Sequence, residues 1–326
     1  SFPTRRSSDL YRVSAHDADM KETEAIYGQT DSGMTIIEGH LFLNGKKPIQ
    51  HRSSYGLGEV IKAALDNHTE HLVISLGGIG SFDGGAGMLQ ALGARFYDDE
   101  AQIVDMRKGA DLIKYIRRID LSGVHPQLTK VNIQLMSDFS SRLYGKKSEI
   151  MQTYESLDLS QNEAAEIDNL IWYFSELFKN ELKIAMGPIE RGGAGGGIAA
   201  VLNSLYQAEI LTSHELVNQI THLENLIQQA DLIIFGEGLK EEDQILETTT
   251  IRIAELTQQY SKPAIAICAT NDKFDLFESL NVTAMFNTFI DMPDSYTDFK
   301  MGIQIRHYTV QALKLLKTQI NLPLSS

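Results

Sequence analysis

The chemistry-bearing residues of the chain gather in three glycine-rich stretches. The first, Leu76-Gly77-Gly78-Ile79-Gly80-Ser81-Phe82-Asp83-Gly84-Gly85-Ala86-Gly87-Met88, sets six glycines within eleven residues around one carboxylate. Glycine admits positive φ and lets a backbone approach a ligand closely. The N–H groups at a helix start favour a phosphate or carboxylate. Asp83 inside such a loop points to a site where an anion meets a metal or a reacting hydroxyl; a plain tight turn is the other reading of the same glycines. The second stretch, Gly187-Pro188-Ile189-Glu190-Arg191-Gly192-Gly193-Ala194-Gly195-Gly196-Gly197, has five glycines in six residues and leads into Ile198. Glycine costs about 1 kcal/mol in a helix relative to alanine, so the run is read as made for close backbone approach, with a flexible linker as the alternative. The third is Gly236-Glu237-Gly238, directly after the apolar run Asp231 to Phe235.

These stretches need strands and helices to hold them. An apolar strand from His71 to Leu76 runs into the first, and a helix from Ala86 to Leu92 runs out of it. Upstream, Met34–Glu38 and His40–Leu43 read as short strands, with Asn44-Gly45 as a turn signal. Ser54-Tyr55-Gly56-Leu57-Gly58-Glu59 opens a helix whose inward face is Val60, Ile61, Ala64 and Leu65. His40 and His51 have no partner spacing and are read as surface or strand residues. Val131 to Met136 is a strand, and Asp138 just past it either points at a ligand crevice or caps the next helix. Residues 160–182 form an amphipathic helix with Ile167, Leu170, Ile171, Phe174, Leu177 and Phe178 on one stripe, Trp172 and Tyr173 serving packing. Thr212 to Glu215 is a capping box for a helix with Leu216, Ile220, Leu223 and Ile227 on its apolar face. Asp231–Phe235 and Lys262–Cys268 read as buried parallel strands. The tail from Asp298 to Ile320 is helical, with Val310, Leu313 and Leu316 inward. Strand-to-glycine turns of this kind converge along the carboxyl edge of parallel sheets.

Composition narrows the class. A formal net charge of −14 over 326 residues, without a Lys/Arg cluster, argues against a nucleic-acid surface. The single cysteine, Cys268, lies in an apolar run and reads as a buried structural thiol. One cysteine cannot form an internal disulfide, so a reducing, cytoplasmic setting is expected. No apolar run is long enough to span a membrane. Residues 1–10 differ in composition from the rest and resemble the translation of a sequencing-library adapter; they read as a non-native leader, a natural basic N-terminus being the alternative. The chain does not begin with Met, and its native start is expected to be missing.

The three glycine elements in this order resemble the bacterial glycerate kinase family from about Val13 to Gln319. The most specific parts are Tyr55-Gly56-Leu57-Gly58-Glu59, the run Gly84 to Gly93, Gly192 to Gly197, and Asp231 to Gly238. The resemblance implies an α/β protein of two α/β domains, one Rossmann-like and built from both chain ends, with the active site in the interdomain cleft. In this chain they are expected at 11–215 (the glycine-loop domain) and 216–326 (the Rossmann-like domain, missing its N-terminal part). It implies transfer of the γ-phosphoryl of ATP, with Mg²⁺, to a hydroxyl of D-glycerate. Such chemistry rests on positioning and charge neutralisation.

Under that resemblance Asp83 orients the hydroxyl or assists the metal, and Glu237 sits at the same cleft; both are expected to be catalytic. Gly77, Gly78, Ser81, Gly84 and Gly85 of the first loop, with Asp138, are expected to bind substrate or phosphate. Gly192, Gly193, Gly195 and Gly196 join them, as do Gly236 and Gly238. No metal ligand is assigned. The partner expected is a small hydroxy acid, with a homo-oligomer left open.

The chain departs from the family's pattern. Ile79 replaces a serine, and Ser81-Phe82 replace Thr-Asn. Ser141-Arg142-Leu143 stands where Asn-Pro-Leu is usual, and Glu247-Thr248 where Gly-Lys is usual. The family's N-terminal Asp-Ser-Phe-Lys-Gly turn and Ala-Asp-Gly-Gly-Glu-Gly loop do not occur. The polypeptide as written is therefore expected to be poorly folded, inactive or both. The alternative function is a catalytically degenerate paralogue that binds a small hydroxy acid or nucleotide as a sensor or subunit; a kinase for another hydroxy acid is a third reading.

Overall fold

The structure is a computed structural model that describes residues 8–31, 33–77, 80–237, 249–268, 274–287, 305–311 and 313–314. The chain divides into two compact units, Ser1–Leu211 and Thr212–Ser326. It is a mixed α/β protein whose strands form three sheets.

In the first unit the elements run β1 (Ser8–His16), β2 (Glu22–Thr30), β3 (Met34–Glu38), α1 (His40–Leu43), α2 (Tyr55–Asp66), β4 (His71–Ser75), α3 (Ala86–Ala91), β5 (Arg95–Tyr97), β6 (Arg118–Asp120), β7 (Asn132–Met136), α4 (Glu149–Thr153), α5 (Gln161–Leu182), α6 (Ile198–Tyr206) and β8 (Glu209–Leu211). Six of these strands form one sheet in the order β1-β2-β3-β4-β7-β8. β1, β2 and β3 pair antiparallel, whereas β3, β4, β7 and β8 are parallel. β1 therefore points the same way as β3, and His16, Glu38, Ser75, Met136 and Leu211 all end strands at one edge. β4 and β7 each bury three consecutive side chains, as strands covered on both faces must. α2 lies tightly on α3: a Cβ on Gly58 would stand 2.7 Å from the Ala91 methyl. Phe174 and Phe178 of α5 close the core in edge-on contact at 4.9 Å, with Phe96 at 5.9 Å from Phe174.

Four residues expected as a strand, His40–Leu43, are a helical turn instead. The parallel β3–β4 register ends at Glu38↔Ser75, and Gly39 passes so close to the Ser75 carbonyl that a Cβ there would crowd it. Phe42 N–H then bonds Gly39 O, closing a turn that buries Phe42 and Leu43.

The second unit carries α7 (Ser213–Thr221), α8 (Leu223–Gln229), β9 (Ile233–Glu237), α9 (Thr249–Gln259), β10 (Ala264–Cys268), α10 (Phe274–Ser279) and β11 (Ala284–Asn287). β11, β10 and β9 form a parallel sheet. The Thr212–Glu215 capping box forms as read. The single helix expected over Leu216 to Ile227 is two, broken where His222 takes φ +52. Cys268 is buried. Ile234, expected inside, is 38% exposed, and Val310 and Leu313 are exposed rather than inward; Leu316 lies outside the described residues. Among the described residues no helix is long and apolar enough to cross a membrane.

Candidate functional site

The first two glycine stretches meet at the carboxyl edge of the six-stranded sheet, and they meet backbone to backbone. Gly84 and Gly85 follow Asp83 with φ +63 and +76, and Gly195, Gly196 and Gly197 also lie in the left-handed region at φ +68, +61 and +104. Gly84 N–H donates to Gly196 O at 3.0 Å. A Cβ on Gly196 would run into the Ser81 carbonyl, and one on Gly197 would stand 2.9 Å from Gly84 Cα. On its other flank Gly193 N–H reaches Ser141 O at 3.3 Å, with no room for a side chain beneath Arg142 O. These glycines are required by each other, a packing reason that the sequence alone does not offer. Gly77 differs: it is exposed, and a Cβ there meets nothing within 4 Å.

Asp83 is the pin of this junction. It is 1% exposed, and its carboxylate accepts from Ser54 N at 2.8 Å, Ser54 Oγ at 2.8 and 2.9 Å, Gly85 N at 3.0 Å and Gly87 N at 3.1 Å. One side chain thereby ties the start of α2 to the start of α3. Ser54 Oγ also accepts from Met88 N at 2.9 Å. Burial pushes the Asp83 carboxyl above its ordinary range, against the pull of the hydrogen bonds from Ser54, Gly85 and Gly87. The N–H groups of Gly84, Gly85 and Gly193 are thus engaged by protein acceptors in this arrangement.

Among the described residues, three buried polar atoms around the junction have no hydrogen-bond partner: Ser81 Oγ, Ser141 Oγ and Glu149 Oε2. Glu149 opens α4 and accepts from Gly196 N–H, yet burial pushes its carboxyl up to about 8. Nothing in the sequence marks Glu149, because Ser148-Glu149 has the pattern of an ordinary N-cap and first-turn acid. Ser54 is equally unmarked: its hydroxyl looks like a helix cap and is spent on Asp83 instead.

Asp138 is half-buried just after β7, and the next helix is capped by Ser148, whose Oγ accepts from Met151 N. Asp138 therefore does not cap it. Gly192 is buried beside Gly193, and its N–H donates to Ile189 O at 3.2 Å. Gly236 and Glu237 belong to β9 in the second unit, paired with Ile267 and Cys268. A Cβ on Gly236 would stand 3.5 Å from Ile267 O, an ordinary contact. Gly78, Ile79 and Gly238 lie outside the described residues, as do Glu247 and Thr248.

The sequence pattern of the Glycerate kinase family matches residues 4–304. A glycerate kinase of Halalkalibacterium halodurans is 31% identical over 254 residues, 76% of this chain and 66% of that protein. A glycerate 2-kinase of Escherichia coli is 29% identical over 236 residues, 72% of this chain and 61% of that protein. The matched part thus spans less than two thirds of these relatives' own length. A crystal structure from Salmonella typhimurium LT2, provisionally assigned as a glycerate kinase 2, superposes with a TM-score of 0.82 at 25% identity, covering 97% of this chain and 84% of its own. With the family pattern running through nearly all of it, glycine junction included, the chain belongs to the glycerate kinase family.

Proposed function

We propose that the protein transfers the γ-phosphoryl of ATP to a hydroxyl of D-glycerate. The observation that carries this reading is the family match over residues 4–304, which takes in the interlocked glycine segments at the carboxyl edge of the first unit's sheet. Open α/β sheets bind ligands at that edge. In the reaction the glycerate hydroxyl oxygen forms a bond to the γ-phosphorus as the bond to the β,γ-bridging oxygen breaks. ADP departs with that electron pair, and the hydroxyl proton passes to an acceptor. Little covalent work falls to the protein, so rigid placement is its main contribution.

Asp83 suits placement. Its oxygens are engaged by donors from α2, α3 and the turn between, so it acts as a positioning residue that fixes the loop from Ser81 to Gly87. Among the described loop residues, the buried Ser81 has an unpartnered hydroxyl and the open Gly77 has steric room, and both suit contact with a substrate. No group of three or more His, Cys, Asp or Glu side chains among the described residues is arranged to hold a metal. Mg²⁺ that arrives with ATP is held by the phosphates and one or two carboxylates rather than by such a cage, and no step is routed through it. The parallel β9–β10–β11 sheet supports reading the second unit as Rossmann-like, with Glu237 at its strand end.

One observation favours binding without turnover. Phe82, in the loop where the family pattern carries a polar residue, is buried among Ile49, Ile150, Ala164 and Ile167. The two readings separate by experiment: the protein is mixed with ATP, Mg²⁺ and D-glycerate, and ADP release is followed. Glycerate-dependent ADP supports the kinase; saturable glycerate or ATP binding with no ADP supports the degenerate paralogue.

A further inference from the structure

Away from the glycine junction, the end of β1 and two neighbouring segments line an open surface groove of about 550 Å³, bounded by His16, Met20, Lys47, His51, Arg107 and Lys108. Five of those six side chains are basic, on a chain whose formal net charge is −14. The counter-charges are known. His16 Nδ1 lies 2.9 Å from Glu59, His51 Nδ1 lies 3.6 Å from Asp111, and Arg107 pairs with Asp105 at 2.8 Å. The two lysines are different. Lys47 Nζ donates to the main-chain oxygen of Asp19 at 2.6 Å, while the Asp19 carboxylate is held by the N–H groups of Lys46 and Lys47. Among the described residues, neither Lys47 nor Lys108 comes within ion-pair distance of a carboxylate, and Lys108 feels Asp105 only at longer range.

We propose that this groove binds a small phosphate dianion, either inorganic phosphate or the phosphoryl group of a phosphorylated hydroxy acid. Lysine ammoniums are compact point charges suited to phosphate. A cleft lined by one sign of charge concentrates the opposite ion, and the volume is that of a small-molecule site rather than of a single ion. The place in the fold agrees. His16 ends β1 at the same sheet edge as the glycine junction, and Arg107 lies over the ring of Tyr55 at 5.9 Å, where α2 begins. The inference does not rest on phosphoryl transfer, because binding is read without nucleotide or glycerate.

The test is calorimetric titration at low ionic strength, where exposed charges are least screened. Inorganic phosphate and phosphoglycerate are titrated separately into the protein and into Lys47→Ser/Lys108→Ser, while histidine ring resonances are followed by NMR. The expected result is saturable binding that weakens about tenfold or more in the double variant, with the His16 and His51 resonances moving on titration of the parent protein. Equal affinity for the two ligands assigns a free-phosphate site; tighter phosphoglycerate binding assigns a site for the phosphorylated acid. Lys108→Ser alone, at an exposed residue, gives a smaller loss of affinity and carries the test if the double variant fails to fold. No saturable binding up to about 10 mM, unchanged affinity in the variants, or unmoved histidines overturns the proposal.

Discussion

Replacing Glu149 by glutamine isolates the cost of keeping a carboxyl inside the glycine junction. Glu149 is 8% exposed; it accepts from Gly196 N–H and leaves Oε2 without a partner. Burial raises its pKa from 4.5 to about 8, with the Gly196 hydrogen bond pulling the other way. The folded chain therefore keeps a proton that the unfolded chain has already released. Stability changes with pH as the difference in protons bound, so this contribution is fully present below about pH 4.5 and is lost as pH rises through about 8. At ~1.4 kcal/mol per pH unit, the interval of about 3.5 units sets a ceiling of about 5 kcal/mol. Between pH 5 and pH 7.5 it amounts to about 3 kcal/mol.

Glutamine keeps an acceptor for Gly196 and cannot ionise. Urea unfolding followed through Trp172, the single tryptophan and part of α5 in the first unit, reads the effect. Glu149→Gln is expected to match the parent within about 1 kcal/mol at pH 5 and to gain about 3 kcal/mol on it by pH 7.5. A parent-to-variant difference that stays flat across that range would mean that Glu149 is not held protonated in the folded chain.

Asp83→Ala strands the donors of Ser54, Gly85 and Gly87 in a dry site, and is expected to cost about 3–5 kcal/mol. In a unit of this size that lowers the thermal midpoint by roughly 10 °C in a calorimetric scan; a loss of activity with an unchanged midpoint would contradict the positioning role. Gly196→Ala meets both a positive φ and the Ser81 carbonyl, so it is expected to lose at least about 2 kcal/mol in chemical denaturation. Gly77→Ala, at an open position, is expected to change stability by less than about 0.5 kcal/mol and to weaken ligand binding measured by calorimetry. Equal destabilisation by the two alanines would remove the distinction between packing glycines and an open one.

Much of the scaffold was legible because its signals are periodic. The stripe from Ile167 to Phe178 predicts α5, and the apolar runs of β4 and β7 predict strands, since burial on one face or both leaves a fixed spacing in the sequence. His40–Leu43 was not legible, because a histidine and three apolar residues suit a strand as well as a buried turn, and the choice is made by the close pass of Gly39 against Ser75. The helix from Leu216 to Ile227 kept its period across His222, whose left-handed backbone leaves no mark in the pattern. At the site, Asp83 stood out as a lone carboxylate among glycines. Its partner Ser54, 29 positions earlier, did not, nor did the burial of Glu149. The glycines of the second stretch announced close approach; that the approaching surface is the first stretch is a tertiary fact.

The proposed transfer of a phosphoryl group from ATP to glycerate is open to phosphorus NMR of the protein with ATP, Mg²⁺ and D-glycerate. A phosphomonoester resonance of phosphoglycerate is expected to grow in step with ADP and only when glycerate is present. ATP that stays intact, or ADP that forms at the same rate without glycerate, would contradict it.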